Sequence, residues 1–193
     1  MASTSSSIET LRHTLVDDVA DCWLTLKKSD EPLHRRNYVR AVFAMVDGFL
    51  SALKAHTIEE WEAGRFTPTR PEIALLFEEA YYVDDHGRAD ARPAFLPMKN
   101  NVRFAFDVFA RAHGVGDRPD YTHPGWPAFQ TATEVRNRIT HPKAAADLEI
   151  SDPDLKAIED AFSWFLDATF VVYAEGRANV VARLQLAARE APG

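Results

Sequence analysis

The stretch EVRNRITHPK, Glu134 to Lys143, gathers Arg136, Asn137, Arg138, His141 and Lys143 within an otherwise acidic chain. These residue types suit chemistry on a phosphate. A guanidinium grips phosphate oxygens through two parallel hydrogen bonds. An imidazole exchanges protons near neutral pH. A positioned general acid or base typically contributes about 10²–10⁴-fold, and preorganised cationic donors supply a comparable or larger factor.

Helical geometry sets how these side chains are presented. At about 100° per residue, Ala128, Ala132, Val135 and Ile139 share a narrow arc and form an apolar stripe. Asn137 and His141 lie nearly opposite that stripe, one turn apart, with Arg136 on the flank between. Pro142 disfavours helical geometry at His141, so the helix is predicted to end at Thr140. His141 then stands at a helix C-terminus, where the partial negative charge favours a cation. That preference alone also collects Lys, Arg and His at helix ends. A solvated helix end is therefore the competing reading of the same residues.

The segment RNRITH resembles the signature of HEPN domains, the higher-eukaryote and prokaryote nucleotide-binding family: Arg, a polar residue, three variable residues, then His, near the end of a late helix. Arg136, Asn137 and His141 stand at those positions. The resemblance implies an all-α bundle that forms a homodimer, with the motifs of two chains facing across a cleft. It also implies a metal-independent endoribonuclease of a toxin–antitoxin or anti-phage system, with RNA as substrate, an antitoxin protein as partner and no cofactor. In such an enzyme the RNA 2′-hydroxyl attacks the adjacent phosphorus, which predicts RNA over DNA. His141 moves the proton, Arg136 steadies the phosphate and Asn137 orients either. Arg138 and Lys143 bind substrate. Some members carry a tyrosine two residues after the histidine; here that place is Lys143. The alternative is a non-catalytic HEPN-like module that binds RNA or nucleotide, or only dimerises. The bare spacing occurs a second time in RPDYTH, Arg118 to His123, but that copy lies in a Gly/Pro-rich loop and lacks the polar second residue.

The elements that must position the motif read as helices. Leu11, Leu15, Val19, Cys22, Trp23 and Leu26 recur at helical spacing from about residue 8 to 28, after a frayed start over residues 1–7. A second helix is expected over about 33–61, with Tyr38, Val42, Met45, Val46, Phe49 and Leu53 buried. Shorter helices are expected over about 72–83 and 98–112, and the motif helix over about 127–140. Residues 84–97 and 113–126 read as exposed loops. SDPD opens a long C-terminal helix, capped by Ser151 or Asp152 with Pro153 in its first turn, reaching Glu190 or bending at Gly176. No useful alternating strand pattern appears. The expectation is one all-α domain over 1–193, a helical bundle of about five to six helices.

Composition bounds the partners. The chain has 193 residues, is 46% hydrophobic and carries a formal charge of −7, which fits a folded domain and counts against a broad nucleic-acid surface. Cys22 is the one cysteine, so neither an internal disulfide nor a cysteine-based zinc site is available. The opening MASTSSSIET lacks a secretory pattern, and no segment reads as a membrane span. A cytoplasmic protein is expected. HRRNYVR, His34 to Arg40, reads as a solvated helix start, or as a second basic patch lining the same groove. Asp84, Asp85 and His86 lack paired metal-ligand spacing and read as a polar loop.

Overall fold

The computed structural model describes residues 2–190, and it is an all-α bundle with a long C-terminal helix. The described elements are α1 (Ala2–Lys28), α2 (Pro32–Glu62), α3 (Arg70–Leu76), β1 (Glu79–Val83), β2 (Ala89–Pro93), α4 (Met98–His113), α5 (Gly125–Thr140), a 3₁₀ turn (Ala145–Leu148) and α6 (Asp152–Glu190). The expected frayed start includes Met1, which lies outside the described residues; the backbone is helical from Ala2. Two compact units can be distinguished: residues 1–52 with 120–169, and residues 53–119 with 170–193.

The first unit holds α1, the first part of α2, α5 and the first part of α6. The apolar positions that recur along these helices meet in one core. Val39, Val42, Phe43 and Met45 of α2 are buried, as are Phe129, Ala132, Val135 and Ile139 of α5 and Ile158 and Phe165 of α6. Aromatic rings organise its centre. Phe129 packs 6.0 Å from Phe43 and 5.7 Å from both Trp126 and Trp164. Gly125 opens α5 because nothing larger fits: a Cβ there would lie 2.3 Å from the Trp164 Cβ. Ser151 caps α6 reciprocally with Asp154, through Asp154 N–H to Ser151 Oγ (3.3 Å) and Ser151 N–H to the Asp154 carboxylate (3.0 Å).

The second unit holds the end of α2, α3, the hairpin, α4 and the later part of α6. Val102, Ala105, Phe106 and Phe109 of α4 and Val172 of α6 are buried in it. The expected helix over 72–83 is corrected here. α3 stops at Leu76, and Glu78 takes a left-handed backbone (φ 55°) that turns the chain into β1. Lys54, itself buried, holds the Glu78 carboxylate at 2.7 Å. Tyr81, Tyr82 and Val83 favour extended backbone, and β1 pairs antiparallel with β2 in the register Tyr81↔Ala91. The Asp84 carboxylate accepts the N–H groups of His86 and Arg88, and Gly87 supplies the positive φ of the turn. The stretch expected as a loop over 84–97 therefore contains a strand. So short a hairpin escapes a search for alternation because most of its side chains stay exposed.

One further expectation changes. α2 contains a window of mean hydropathy 1.3, long and apolar enough by length and composition to cross a membrane. That window is 56% buried inside the protein, and the core helix of a folded domain passes the same test.

Candidate active site at the end of α5

α5 presents the motif as its sequence requires. Ala132, Val135 and Ile139 are buried, while Asn137 and His141 are exposed and Arg136 is half-buried. The helix ends at Thr140. His141 takes a non-helical backbone (φ −125°, ψ 57°), and its N–H still donates to the Asn137 carbonyl at 3.0 Å. Asn137 and His141 are thus one turn apart, about 6 Å of rise, on the solvent side.

Arg136 does not extend freely into solvent. Its Nη1 donates to Asn137 Oδ1 at 3.1 Å, and its Nη2 lies 3.4 Å from Asp47 Oδ2 on α2. With its side chain 29% exposed, the guanidinium is oriented on two sides. Asp47 escaped the sequence reading, because 89 residues separate it from its partner. A faint signal exists in AMVDGFL, where one carboxylate interrupts the buried stripe of α2.

Arg138 faces another way. Its Nη2 donates to the Glu149 carbonyl (2.8 Å) and to Asp154 Oδ2 (2.9 Å). Lys143 is exposed, and its backbone N–H donates to the Asp147 carboxylate at 2.6 Å, as does that of Ala144 at 2.9 Å. These two bonds, with the nearby positive charge of Arg138 and Lys143, hold the Asp147 carboxyl below its usual range. Arg136 and Arg138, two of the cations expected to make a local basic site, thus each have a carboxylate counterpart, Asp47 and Asp154, while Asp147 is held by the backbone N–H of Lys143.

The basic start of α2 has a structural task. Arg36 donates to the Leu148 carbonyl (3.3 Å) and Arg35 to the Ile150 carbonyl (2.8 Å). With Arg138 on Glu149, three guanidinium groups hold three consecutive carbonyls of the linker that leaves His141. Arg35 is also paired with Asp30 and with Asp152. Neither expectation for HRRNYVR foresaw this clamp, since the carbonyls it meets lie more than a hundred residues away along the chain.

The second Arg-x4-His copy is occupied locally. Arg118 donates to the carbonyls of Val115, Gly116 and Asp117. His123 Nδ1 accepts the Gly125 N–H at 3.0 Å, satisfying one of the donors left open at the start of α5.

Chemically, the end of α5 offers one oriented guanidinium, one amide and one exposed imidazole within a turn of each other. That set can contact a phosphodiester and move one proton per chain. No protein-family model matches this chain, and no curated protein or solved structure shows significant similarity to it.

Proposed function

We propose that this protein is a HEPN-type, metal-independent endoribonuclease that acts in the cytoplasm as the toxin of a toxin–antitoxin or anti-phage system. One observation carries the reading: Arg136, Asn137 and His141 share the solvent side of the last turn of α5, while the apolar residues of the same turns are buried. In this reading His141 takes the proton of the RNA 2′-hydroxyl as it attacks phosphorus. Arg136, oriented by Asn137 and Asp47, steadies the charge that builds on the phosphate oxygens. The departing 5′-oxygen needs a proton as well. A homodimer supplies it from the second His141, and an antitoxin protein covers the same face. Lys143 adds attraction for the RNA backbone.

The test is cleavage of single-stranded RNA by purified protein in the presence of a chelator. The expected product carries a 2′,3′-cyclic phosphate, and DNA is spared. His141→Ala and Arg136→Ala each lose orders of magnitude in rate. His123→Ala keeps its activity, assayed well below its melting temperature because it loses the bond to Gly125. Loss of cleavage in His123→Ala but not in His141→Ala overturns the site assignment.

A second reading is favoured by the pairing of Arg136 with Asp47, which lowers the positive charge offered to a phosphate. In it the chain is a non-catalytic module that binds RNA or nucleotide, or dimerises. Saturable RNA binding that weakens in Arg136→Ala, with no cleavage, selects this reading.

A further inference from the structure

We infer that the first unit carries a second binding site, independent of the α5 motif: a cavity between α1, α2 and α6 built for a small lipophilic ammonium ion. The cavity has a volume of about 440 Å³ and is walled by Val16, Val19, Trp23, Tyr38, Phe162 and Glu159. That size falls within the range of small-molecule sites, which are mostly apolar with a few placed polar groups. Two polar groups are placed here. Glu159 contributes a carboxylate whose side chain is 30% exposed. Tyr38 is 3% exposed and lines the cavity, yet no hydrogen bond to its hydroxyl occurs among the described residues. A ligand polar group would satisfy it.

The walls specify the charge of the ligand. Trp23 and Tyr38 stand at 5.5 Å between ring centroids, tilted by 42°, and Phe162 adds a third ring. Aromatic faces beside a carboxylate attract an ammonium group through the ring quadrupole and the full charge together. The protein shows this preference with its own side chain. The Lys27 ammonium lies 3.8 Å from the Trp23 ring centroid and 3.7 Å from Glu159 Oε1. At that distance the carboxylate is attracted to Lys27 but not closely hydrogen-bonded to it. Lys27 is 57% exposed and does not line the cavity. A ligand cation therefore reaches Glu159 from the cavity side, where it meets the Trp23 and Tyr38 rings, and it competes with Lys27 for the carboxylate. The alkyl or aryl body of the ligand lies against Val16, Val19 and Phe162.

The experiment is isothermal titration of the full chain with hexyltrimethylammonium, and separately with 1-hexanol and with hexanoate. The cation is expected to bind one to one, at least about tenfold tighter than the alcohol, with hexanoate weakest; tenfold corresponds to about 1.4 kcal/mol. Glu159→Gln keeps the shape and removes the charge, so the preference for the cation over the alcohol should disappear. Lys27→Met keeps the aliphatic stem over Trp23 and removes the competing charge, so the cation should bind several-fold tighter. Tyr38→Phe should weaken binding of the alcohol. Equal binding of cation and alcohol overturns the inference, as does an unchanged preference in Glu159→Gln. Failure of the cation to bind at millimolar concentration overturns it too. A lysine-bearing peptide that binds where hexyltrimethylammonium does not would reassign the groove to a protein partner.

Discussion

Replacing Arg138 with alanine separates a structural arginine from a substrate contact. Its guanidinium makes two bonds, 2.8 Å to the Glu149 carbonyl and 2.9 Å to Asp154. A hydrogen bond to a charged group contributes about 1.5–3 kcal/mol when buried, whereas an exposed ion pair contributes about 0–1 kcal/mol. Arg138 is 36% exposed and Asp154 19%, so this pair lies between those limits. Arg138→Ala should therefore cost about 1–2.5 kcal/mol in urea unfolding at neutral pH. Part of that cost depends on pH. Burial raises the Asp154 carboxyl, but the hydrogen bonds from Arg138 and Ser151 outweigh it and hold the group below its ordinary value. A carboxylate with a depressed folded pKa stabilises fully above its unfolded pKa of about 3.9, and that stability is lost as pH falls through the folded value. A double-mutant cycle with Asp154→Asn should show a coupling of about 1 kcal/mol at neutral pH, vanishing in acid below the carboxylate range. Wild-type stability in Arg138→Ala, combined with weakened RNA binding, would refute this reasoning and restore Arg138 as a ligand contact.

Two neighbouring residues on α5 should differ sharply in their effect on stability. Ile139 is 2% exposed, so Ile139→Ala should cost about 2–5 kcal/mol in denaturant melts, while exposed His141→Ala should stay within about 0.5 kcal/mol. In the second unit, burial lowers the pKa of His113, only partly opposed by its bond to the Phe109 carbonyl and by Glu60. The unfolded chain then binds the proton first. Stability should be level above the unfolded value of about 6.5 and decline as pH falls below it. His113→Gln should flatten that decline when urea midpoints are compared between about pH 8 and pH 5.

The helices around the motif were legible in the sequence because their causes are local. The spacing of Ala132, Val135 and Ile139 determined which face of α5 is buried, and so which way Asn137 and His141 point. Pro142 determined where the helix stops. The same periodicity identified α2 and α6 through stripes that the core does bury, such as Val42 and Phe49, or Ile158 and Phe165. Tertiary structure decided what depends on distant partners. Tyr81 and Val83 favour extended backbone, but their spacing also continues the helical pattern of α3; the left-handed turn at Glu78, held by Lys54, and pairing with Ala89–Pro93 select the strand. Arg35, Arg36 and Arg138 read as free positive charge until their acceptors are known, and those acceptors are the carbonyls of one linker. Arg136 likewise looks like an open phosphate grip in sequence, whereas packing of α5 beside α2 sets Asp47 against it. Periodicity reports which face of a helix avoids water, but ionic and hydrogen-bond partners follow from how the helices pack, which no local pattern encodes.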